Sequence, residues 1–377
     1  MIHNFVIIPI LLITSPRVVI YILNYNGLSS LGNDLFTFID SAFTINYPNY
    51  DVVIIDNASS DGSYEEIMNR YRGDALVIRL SRNYGYAGGN EFGFRRYVVR
   101  NGVPDYIIFM NNDYRIKNPD FLTEIVEYME RDRDVALAQG IDLSYGKDII
   151  FSAGHFITNA RGYPRGIGLK LNELPEVESL ISHPHGSFII IKVKPVLLHR
   201  PYVLIPHYFG YNEVVELGLS MWSFGYKSMF YPVVVGEHRS GSTFKKFSEL
   251  RAYLRIRNEL WMYREFADKF LSPKLIPSFS AHVLTIPYRP LQGRRGSLFT
   301  RAVIDGLTKK ILVKRGPYNP LIIMFNLRDS FIMSLPGAIK RNALKKYVNE
   351  IEDRITRLTV TREMLKQSCC PFLLKLR

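Results

Sequence analysis

Polar and acidic residues follow four short apolar runs in the first third of the chain. The runs are RVVIYILN, YDVVIIDN, ALVIRL and DYIIFMNND. In single turns Asn, Asp and Ser are ordinary residues, but four such turns at one predicted sheet edge favour a polar binding site. The polar residues at the ends of these runs are Asn24, Asn26, Asp56, Asn57, Asp61, Asn83, Asn111, Asn112 and Asp113.

Asp113 directly follows the apolar run YIIFM, so a rigid strand would hold its carboxylate at the mouth of the sheet. A carboxylate there can bind a hard divalent cation, and such a cation can neutralise a diphosphate. One carboxylate supplies too few ligands. His238 lies just after another apolar run and is a second candidate, although a lone histidine is more often structural. The pair predicts a metal site only if the fold brings both residues together.

A glycine-rich stretch, NYGYAGGN, covers residues 83–90 and precedes a helical segment. Backbone amides around Gly88, Gly89 and Asn90 could therefore approach a phosphate or a sugar closely. The stretch is not a dinucleotide fingerprint, because G-x-G-x-x-G is absent after the first strand. It is not a phosphate-binding P-loop either, since no G-K-[ST] follows. The sequence thus disfavours both common nucleotide folds.

The elements that position these residues alternate between strand-like and helix-like patterns. The four runs are apolar on both faces, as strands of a covered parallel sheet are. Beyond Gly140 the pattern loosens, then resumes with SFIIIKV, a helical segment from about Glu213 to Phe224, and KSMFYPVVVGE. This alternation predicts an α/β, doubly wound domain with a mostly parallel sheet and helices on both faces.

Composition and charge divide the 377-residue chain into an acidic front and a basic rear. Residues 241–377 hold 27 Lys+Arg and 10 Asp+Glu, net +17, whereas residues 1–240 hold 21 and 25, net −4. Two adjacent cysteines, Cys369 and Cys370, exclude a disulfide scaffold and a Cys-rich zinc module. We predict an N-terminal extension over 1–16, the α/β domain over 17–245, and a basic, largely helical region over 246–377.

No stretch reaches the ~18 to 20 unbroken apolar residues that a transmembrane helix requires. The apolar N-terminal stretch FVIIPILLI is short, contains Pro9 and has no Lys or Arg ahead of it, so it is a weak signal peptide candidate. We expect an extra strand or a loose extension there.

Together these residues resemble the family 2 glycosyltransferases, which are inverting enzymes with the GT-A fold for nucleotide-diphosphate sugars. The motifs that carry the resemblance are ILNYNG, VVIIDNASSDGS, RLSRNYGYAGGNEFGFR, FMNND and GYKSMFYPVVVGEHRSGST, which occur in the family's order over roughly residues 17–265. The NND and AGGN forms look most like the rhamnosyltransferase-like branch. The resemblance implies a nucleotide-sugar donor, a glycan or lipid-linked acceptor, and Mn²⁺ or Mg²⁺ as the divalent metal.

The resemblance also assigns roles to individual positions. Asp56 matches the acid that contacts the nucleotide base or ribose, with Asn24 and Asn26 in the same pocket. Asp113 matches the last residue of the D-x-D-type motif, which touches the metal. Asn111 replaces that motif's first Asp, so the diphosphate itself is expected to supply more of the metal's ligands. His238 matches a family histidine that can complete the coordination.

The sequence offers two candidates for the catalytic base. An ungapped alignment backwards from Gly225 places Val214 where the family has its basic Asp, and valine cannot accept a proton. Glu213 is the favoured replacement and Glu216 the second choice. A shift of one helical residue is ~1.5 Å of rise and ~100° of turn, so a carboxylate displaced by one position reaches the acceptor only through its longer side chain or a local distortion. The alternative is an inactive protein that binds a sugar or nucleotide on the same fold.

The basic rear region has two interpretations. Lys and Arg often only solvate an exposed face, but here arginines alternate with Tyr253, Leu254, Leu260, Trp261 and Tyr263. Basic amphipathic helices with Trp and Tyr favour anionic bilayer surfaces. We therefore predict a peripheral protein on the cytoplasmic face of the cell membrane, with Cys369 and Cys370 as a weak lipidation candidate. Nucleic acid is not expected as a partner, because no recognised nucleic-acid module is present.

Overall fold

Strands form at the β-branched runs, and helices form between them. The computed structural model describes residues 15–158, 162–240, 248–266, 294–309, 315–318 and 322–323. The strands are β1 Val18–Asn24, β2 Tyr50–Asp56, β3 Leu76–Arg79, β4 Tyr106–Asn111, β5 Tyr114–Ile116, β6 Val135–Ser144, β7 Ile150–Ser152, β8 His155–Thr158, β9 Gly162–Pro164, β10 Ser179–Ile181, β11 Phe188–Lys192, β12 Lys227–His238 and β13 Ile322–Ile323. The α-helices are α1 Gly27–Leu31, α2 Asp34–Asp40, α3 Ser63–Tyr71, α4 Gly85–Asn101, α5 Phe121–Arg131, α6 Val193–His199, α7 Glu213–Ser223, α8 Ser248–Glu265 and α9 Arg294–Thr308.

The central sheet has the strand order β10-β12-β6-β11-β4-β1-β2-β3, and a small second sheet has the order β13-β8-β9. Strands β1 to β4 pair in parallel, as predicted. The other half of the sheet is mixed, because β12 runs parallel to β6 but β11 runs antiparallel to both β4 and β6. Parallel neighbours need a long crossover, usually a helix. In the described chain between β6 and β11 the connection consists of short strands, turns and one 3-10 helix, without the α-helix of a βαβ unit.

Two apolar cores flank this sheet because its central strands are buried on both faces. On one face Ile20 packs with Phe38 of α2 and Ile125 of α5. On the other face Tyr21 packs with Phe94 of α4 and other members of the second core, including Leu217 of α7. Burying each such side chain contributes about 1.5–3 kcal/mol relative to leaving it exposed. Both layers hold the strand ends in fixed positions.

Helix α8 turns its apolar stripe towards the protein. Leu254, Leu260 and Trp261 are buried, and the Trp261 indole donates to the carbonyl oxygen of Asp305 in α9 at 3.1 Å. Because protein covers these three residues, they do not support the predicted binding to a membrane surface, which stays a prediction. The side chain of Tyr263, residues 1–14 and the two cysteines lie outside the described residues.

Within the part of the chain that the structure describes, none of the helices combines the length and the hydropathy needed to cross a bilayer.

Candidate active site

The carboxyl ends of β1, β2 and β4 meet at one edge of the sheet. Asn24 at the end of β1 is in register with Asp56 at the end of β2, and Leu23 is in register with Asn111 of β4. Parallel pairing forces this alignment, because it brings equivalent strand ends together. The edge therefore carries the polar residues that the sequence placed there.

A hydrogen-bonded row of side chains runs along this edge. The Asn112 amide donates to Asn24 Oδ1 at 2.9 Å, and the Asn24 amide donates to Asp56 Oδ1 at 3.3 Å. Asp56 Oδ2 accepts the backbone N–H of Ser59 at 3.1 Å and lies 3.7 Å from Arg79 Nε. Asn24 and Asp56 are fully buried. Their hydrogen bonds fix a polar floor on which a ligand could be oriented.

Two further predicted residues tie the neighbouring loops together. Asn26 Oδ1 accepts the backbone N–H of Ser60 at 2.8 Å. Asp61 accepts the backbone N–H groups of Ser29 and Ser63 at 2.8 Å and 3.1 Å. Burial acts to raise the pKa of Asp61, but the hydrogen bonds from Ser63 and Ser29 outweigh it and lower that pKa. Asn26 and Asp61 thus hold the rim of the edge in place.

Asn57 and Asn83 determine where helix α4 begins. The Asn57 amide donates to Asn83 Oδ1 and to the carbonyl oxygen of Gly85, both at 3.0 Å. Asn57 Oδ1 accepts the backbone N–H of Tyr84 at 2.9 Å. These bonds join the end of β2 to the first residue of α4. The two predicted Asn residues therefore hold the start of α4 against the end of β2.

The glycine-rich stretch differs from its prediction. Gly88 and Gly89 do not lie in a loop ahead of a helix, because α4 already begins at Gly85. A Cβ on Gly89 would lie 2.6 Å from Leu23 Cδ1, so glycine allows the helix to pack closely on β1. Asn90 donates to the Tyr86 carbonyl at 3.1 Å, while its own Oδ1 is buried without a hydrogen-bond partner among the described residues.

Asp113 and His238 meet although 125 positions separate them in the sequence. Strand β12 pairs antiparallel with β5 and sets His238 opposite Tyr114. As a result His238 Nε2 lies 3.0 Å from Asp113 Oδ1, and both side chains are buried. This separation is about what neighbouring ligand atoms have around an octahedral ion with bonds of about 2.1 Å.

The donor set fits a cation that takes part of its coordination from its substrate. Across the residues that the structure describes, no group of three or more His, Cys, Asp or Glu side chains could enclose a metal ion. Asp113 and His238 would supply one oxygen and one nitrogen ligand. Asn111, next along β4, is half-buried and adds no carboxylate. Such a site needs further oxygen ligands, which a diphosphate can provide.

A buried polar network beside His238 was missed in the sequence. Asp142 on β6 accepts hydrogen bonds from Tyr114 Oη at 2.5 Å and from Gln139 Nε2 at 3.0 Å, and burial raises its pKa to about 7. The His185 ring lies 5.9 Å from that of His238, and burial lowers the pKa of His185 to about 3. The His-Pro-His triplet ahead of the SFIIIKV run was the available signal for His185. Asp142 had none, because its run resembles an ordinary strand.

The two candidate bases on α7 lie in different environments. Glu216 forms a bidentate salt bridge with Arg200, at 3.0 Å and 2.7 Å, and both side chains are buried. Glu213 is 7% exposed, and its Oε2 has no hydrogen-bond partner among the described residues. Burial raises the pKa of Glu213 to about 7. An unpaired carboxylate with that pKa is suited to accept a proton, whereas the Arg200 salt bridge argues against Glu216.

A short series of contacts leads from the surroundings of Glu213 towards the Asp113–His238 pair. Burial raises the pKa of Tyr86, and the charge of Glu213 raises it further. The Tyr86 hydroxyl donates to the carbonyl oxygen of Gly186 at 2.7 Å. Gly186 follows His185, whose ring faces His238. This series of contacts ends at the His185 ring, whose centroid lies 5.9 Å from that of His238.

One family model matches part of the chain. Residues 19–196, a little under half of the chain, match the family model described as glycosyl transferase family 2. The match covers the strand edge and its polar row but ends before Glu213 and His238. A comparison with curated proteins gave no match. The predicted family is thus supported for the part of the chain that the match covers.

Three solved glycosyltransferase structures resemble this chain at low identity. GalNAc-T7 with UDP, GalNAc and Mn²⁺ has a TM-score of 0.51 and 14% identity over 77% of this chain, which spans 54% of that protein. The mannosyltransferase PcManGT from Pyrobaculum calidifontis, with GDP-Man and Mn²⁺, has a TM-score of 0.45 and 14% identity over 80% of this chain and 77% of its own. S. aureus TarS 1-349 with UDP has a TM-score of 0.46 and 13% identity over 76% and 81%. The likeness to GalNAc-T7 shows a mixed α/β fold of the GT-A glycosyltransferase type.

Proposed function

We propose that the protein is an inverting, metal-dependent glycosyltransferase. It transfers a sugar from a nucleotide-diphosphate sugar to a hydroxyl group of a glycan or a lipid-linked glycan. The observation that carries this proposal is the 3.0 Å approach of Asp113 and His238 beside the polar row from Asn112 to Asp56. A cation at one end and polar groups at the other match the two ends of a nucleotide diphosphate.

The polar row supports the donor side of the proposal. Asp56 and Asn24 would bind the nucleoside, and Asp113 with His238 would hold Mn²⁺ or Mg²⁺. When bound, the metal supplies positive charge that stabilises the leaving diphosphate. GalNAc-T7, which shares the fold, is solved with UDP and Mn²⁺, and this is why we propose the same kinds of ligand here.

Glu213 supports the acceptor side of the proposal. In the proposed step the acceptor hydroxyl gives its proton to the Glu213 carboxylate as its oxygen attacks the anomeric carbon. The bond from that carbon to the diphosphate oxygen breaks, and its electron pair leaves with the nucleoside diphosphate. Attack from the side opposite the leaving group inverts the configuration at this carbon. Glu213 is preferred to Glu216 because it has no cationic partner among the described residues.

Two finer parts of the proposal rest on the sequence. The NND and AGGN motifs favour a rhamnosyltransferase-like donor preference. The net charge of +17 over residues 241–377 favours peripheral binding at the cytoplasmic face of the cell membrane. The apolar residues of α8 no longer support membrane binding, since Leu254, Leu260 and Trp261 are covered by protein.

A donor panel tests the proposal. UDP-, dTDP- and GDP-sugars are each added with Mn²⁺ or Mg²⁺, and thermal stabilisation identifies the donor before transfer is measured. Glu213→Gln is expected to lower kcat by about 10²–10⁴-fold, the usual contribution of a general base, while donor binding persists. Glu124→Gln is the matched control, because Glu124 is exposed on α5.

The alternative function is a donor-binding protein without turnover. It is favoured by Val214, a buried apolar residue at the position where the family resemblance expects the base. This alternative is correct if wild type and Glu213→Gln both bind a donor and are equally inert. The absence of binding by any donor in the panel would contradict both functions.

A further inference from the structure

The loop between Tyr208 and helix α7 has an unusual backbone. Three of its non-glycine residues have positive φ: Phe209 at 64°, Tyr211 at 68° and Asn212 at 67°. Such conformations are strained for residues with a Cβ and persist only where the surroundings enforce them. We call residues 208–212 the base loop, because Glu213 follows it directly.

Asn258 of α8 enforces this conformation from one side. Its amide nitrogen donates to the carbonyl oxygens of Tyr208 at 3.0 Å, Gly210 at 2.7 Å and Tyr211 at 2.7 Å. An amide group has two protons, so the three oxygens share them. Asn258 is fully buried, and a buried amide with several carbonyl partners fixes their spacing. The base loop is thus wound around one side chain.

The neighbouring Arg257 extends the same contact. Its guanidinium donates to the carbonyl oxygens of His207 at 3.0 Å and Tyr208 at 2.9 Å. Trp261, one turn further along α8, packs edge-on against the Tyr208 ring with 5.7 Å between centroids. Helix α8 therefore contacts the base loop through two successive turns.

Helix α4 closes the opposite side of the base loop. The backbone N–H of Ala87 donates to the Phe209 carbonyl at 3.1 Å. Gly85 has φ at 72°, and a Cβ there would lie 2.1 Å from the Phe209 carbonyl oxygen. The loop is consequently held between the first turn of α4, which belongs to the donor edge, and α8.

The geometry points to Asn258 as a positioning residue for the catalytic base: its carboxamide holds the base loop in the conformation that presents Glu213 to the acceptor hydroxyl. This inference rests on the proposed function. Helix α8 follows the residues matched to the family and also follows the predicted 17–245 domain. A segment outside that domain thus contributes to the site. Loss of the amide should change the rate of transfer more than donor binding, because the donor residues lie on the strand edge.

Two substitutions and one control test the inference. Asn258→Asp keeps the shape but replaces the donor by an acceptor that faces three carbonyl oxygens, and Asn258→Ser keeps one donor. Arg264→Gln is the control, because Arg264 on the same helix donates to the carbonyl oxygens of Gly306 and Lys309 and not to the base loop. All variants are made in the full chain.

We expect kcat to fall at least about tenfold in Asn258→Asp, which corresponds to a rise of about 1.4 kcal/mol in the activation free energy. The donor KM should stay within about twofold, and Asn258→Ser should lie between Asp and wild type. An equal loss of kcat in Arg264→Gln, or a loss confined to the donor KM, would overturn the positioning role.

Amide hydrogen exchange of the peptide spanning 206–216 supplies a readout that needs no turnover. Asn258→Ser should exchange faster there than wild type, and Arg264→Gln should not. If wild type transfers no sugar but this exchange pattern is seen, the proposed function fails and the restraint of the base loop stands. If exchange at 206–216 is the same in Asn258→Ser and wild type, the inference fails whatever the activity.

Discussion

The strand edge and the base loop both supply residues to the site, but they satisfy polar groups in opposite ways. At the strand edge the side chains of Asn24, Asp56 and Asn57 each form hydrogen bonds of 2.9–3.3 Å with neighbouring groups. After the base loop, Glu213 Oε2 is buried without a hydrogen-bond partner in the described part of the protein. A surface that orients a ligand gains from fixed partners, whereas a proton acceptor needs a carboxylate that is still available.

The same contrast occurs within one turn of helix α7. Glu216 has its charge neutralised by Arg200, and Glu213 has none of that compensation. Burial raises the pKa of Glu213 to about 7 and outweighs a hydrogen bond from its own backbone N–H, which lowers it. One carboxylate therefore stabilises the fold, and the other is held in a state that costs stability and suits chemistry.

Breaking the Glu216 salt bridge should give the largest effect. Arg200→Met leaves a buried carboxylate unpaired, and we expect the free energy of unfolding to fall by about 3–5 kcal/mol. Urea denaturation measures this. The double variant Arg200→Met with Glu216→Leu should recover most of the loss, because an apolar pair of similar volume needs no charge compensation. A loss below about 1 kcal/mol would contradict the stabilising role.

Removing the Glu213 carboxylate should have the opposite sign. Its folded pKa of about 7 lies above the ordinary value of 4.5, so the folded state binds more protons between these pH values and wild type loses stability as pH rises through them. Glu213→Gln avoids this loss. Its free energy of unfolding should exceed that of wild type by on the order of 3 kcal/mol at about pH 8 and by little at about pH 4. Thermal unfolding at both pH values measures it, and an equal gain at both would contradict the prediction.

The pH dependence of transfer sharpens the comparison further. A base with a pKa of about 7 must be deprotonated to act, so kcat/KM should rise with pH and level off above that value, with about a tenfold loss at one pH unit below. Asp142, whose pKa burial also raises to about 7, is the competing explanation. If Glu213 is the titrating base, Asp142→Asn keeps the increase of kcat/KM with pH. If that increase disappears in Asp142→Asn, the titrating group is Asp142.

The smallest effect is expected at the strand edge. Ser59 Oγ accepts the backbone N–H of Asn26 at 2.9 Å and the Asn24 amide at 3.2 Å. Ser59→Ala removes both bonds and should weaken nucleotide binding by about 1 kcal/mol, which is less than tenfold. Isothermal titration with the nucleotide identified in the donor panel measures it. Ser30→Ala is the control, since that hydroxyl donates only to the Gly27 carbonyl in its own helix.

Local patterns explain the parts of the fold that the sequence predicted. The runs that became β1, β2, β3 and β4 are apolar on both faces, and their boundaries agree with the prediction within one or two residues. Helix α7 likewise begins at Glu213, as expected. The antiparallel return of β11 was missed, because strand direction depends on the route of the connecting chain and not on the strand's own residues.

The stripe on α8 shows the same limit in a different form. An apolar stripe with arginines on the other face indicates only that one side of the helix is covered. Whether lipid or protein covers it cannot be distinguished by periodicity. The structure packs Leu260 and Trp261 against α9, so the stripe is no evidence for the predicted membrane binding.

The sequence by itself determined the polar strand ends, because hydrophobic period and turn chemistry are local and parallel pairing aligns strand ends. Only the tertiary structure decided which distant groups meet. The pairing of β12 with β5 brings His238 to Asp113. The salt bridge with Arg200 makes Glu216 the structural carboxylate. Asn258 contacts the base loop although about fifty residues separate them in the sequence. Such contacts depend on burial and chain path, which no short segment of sequence encodes.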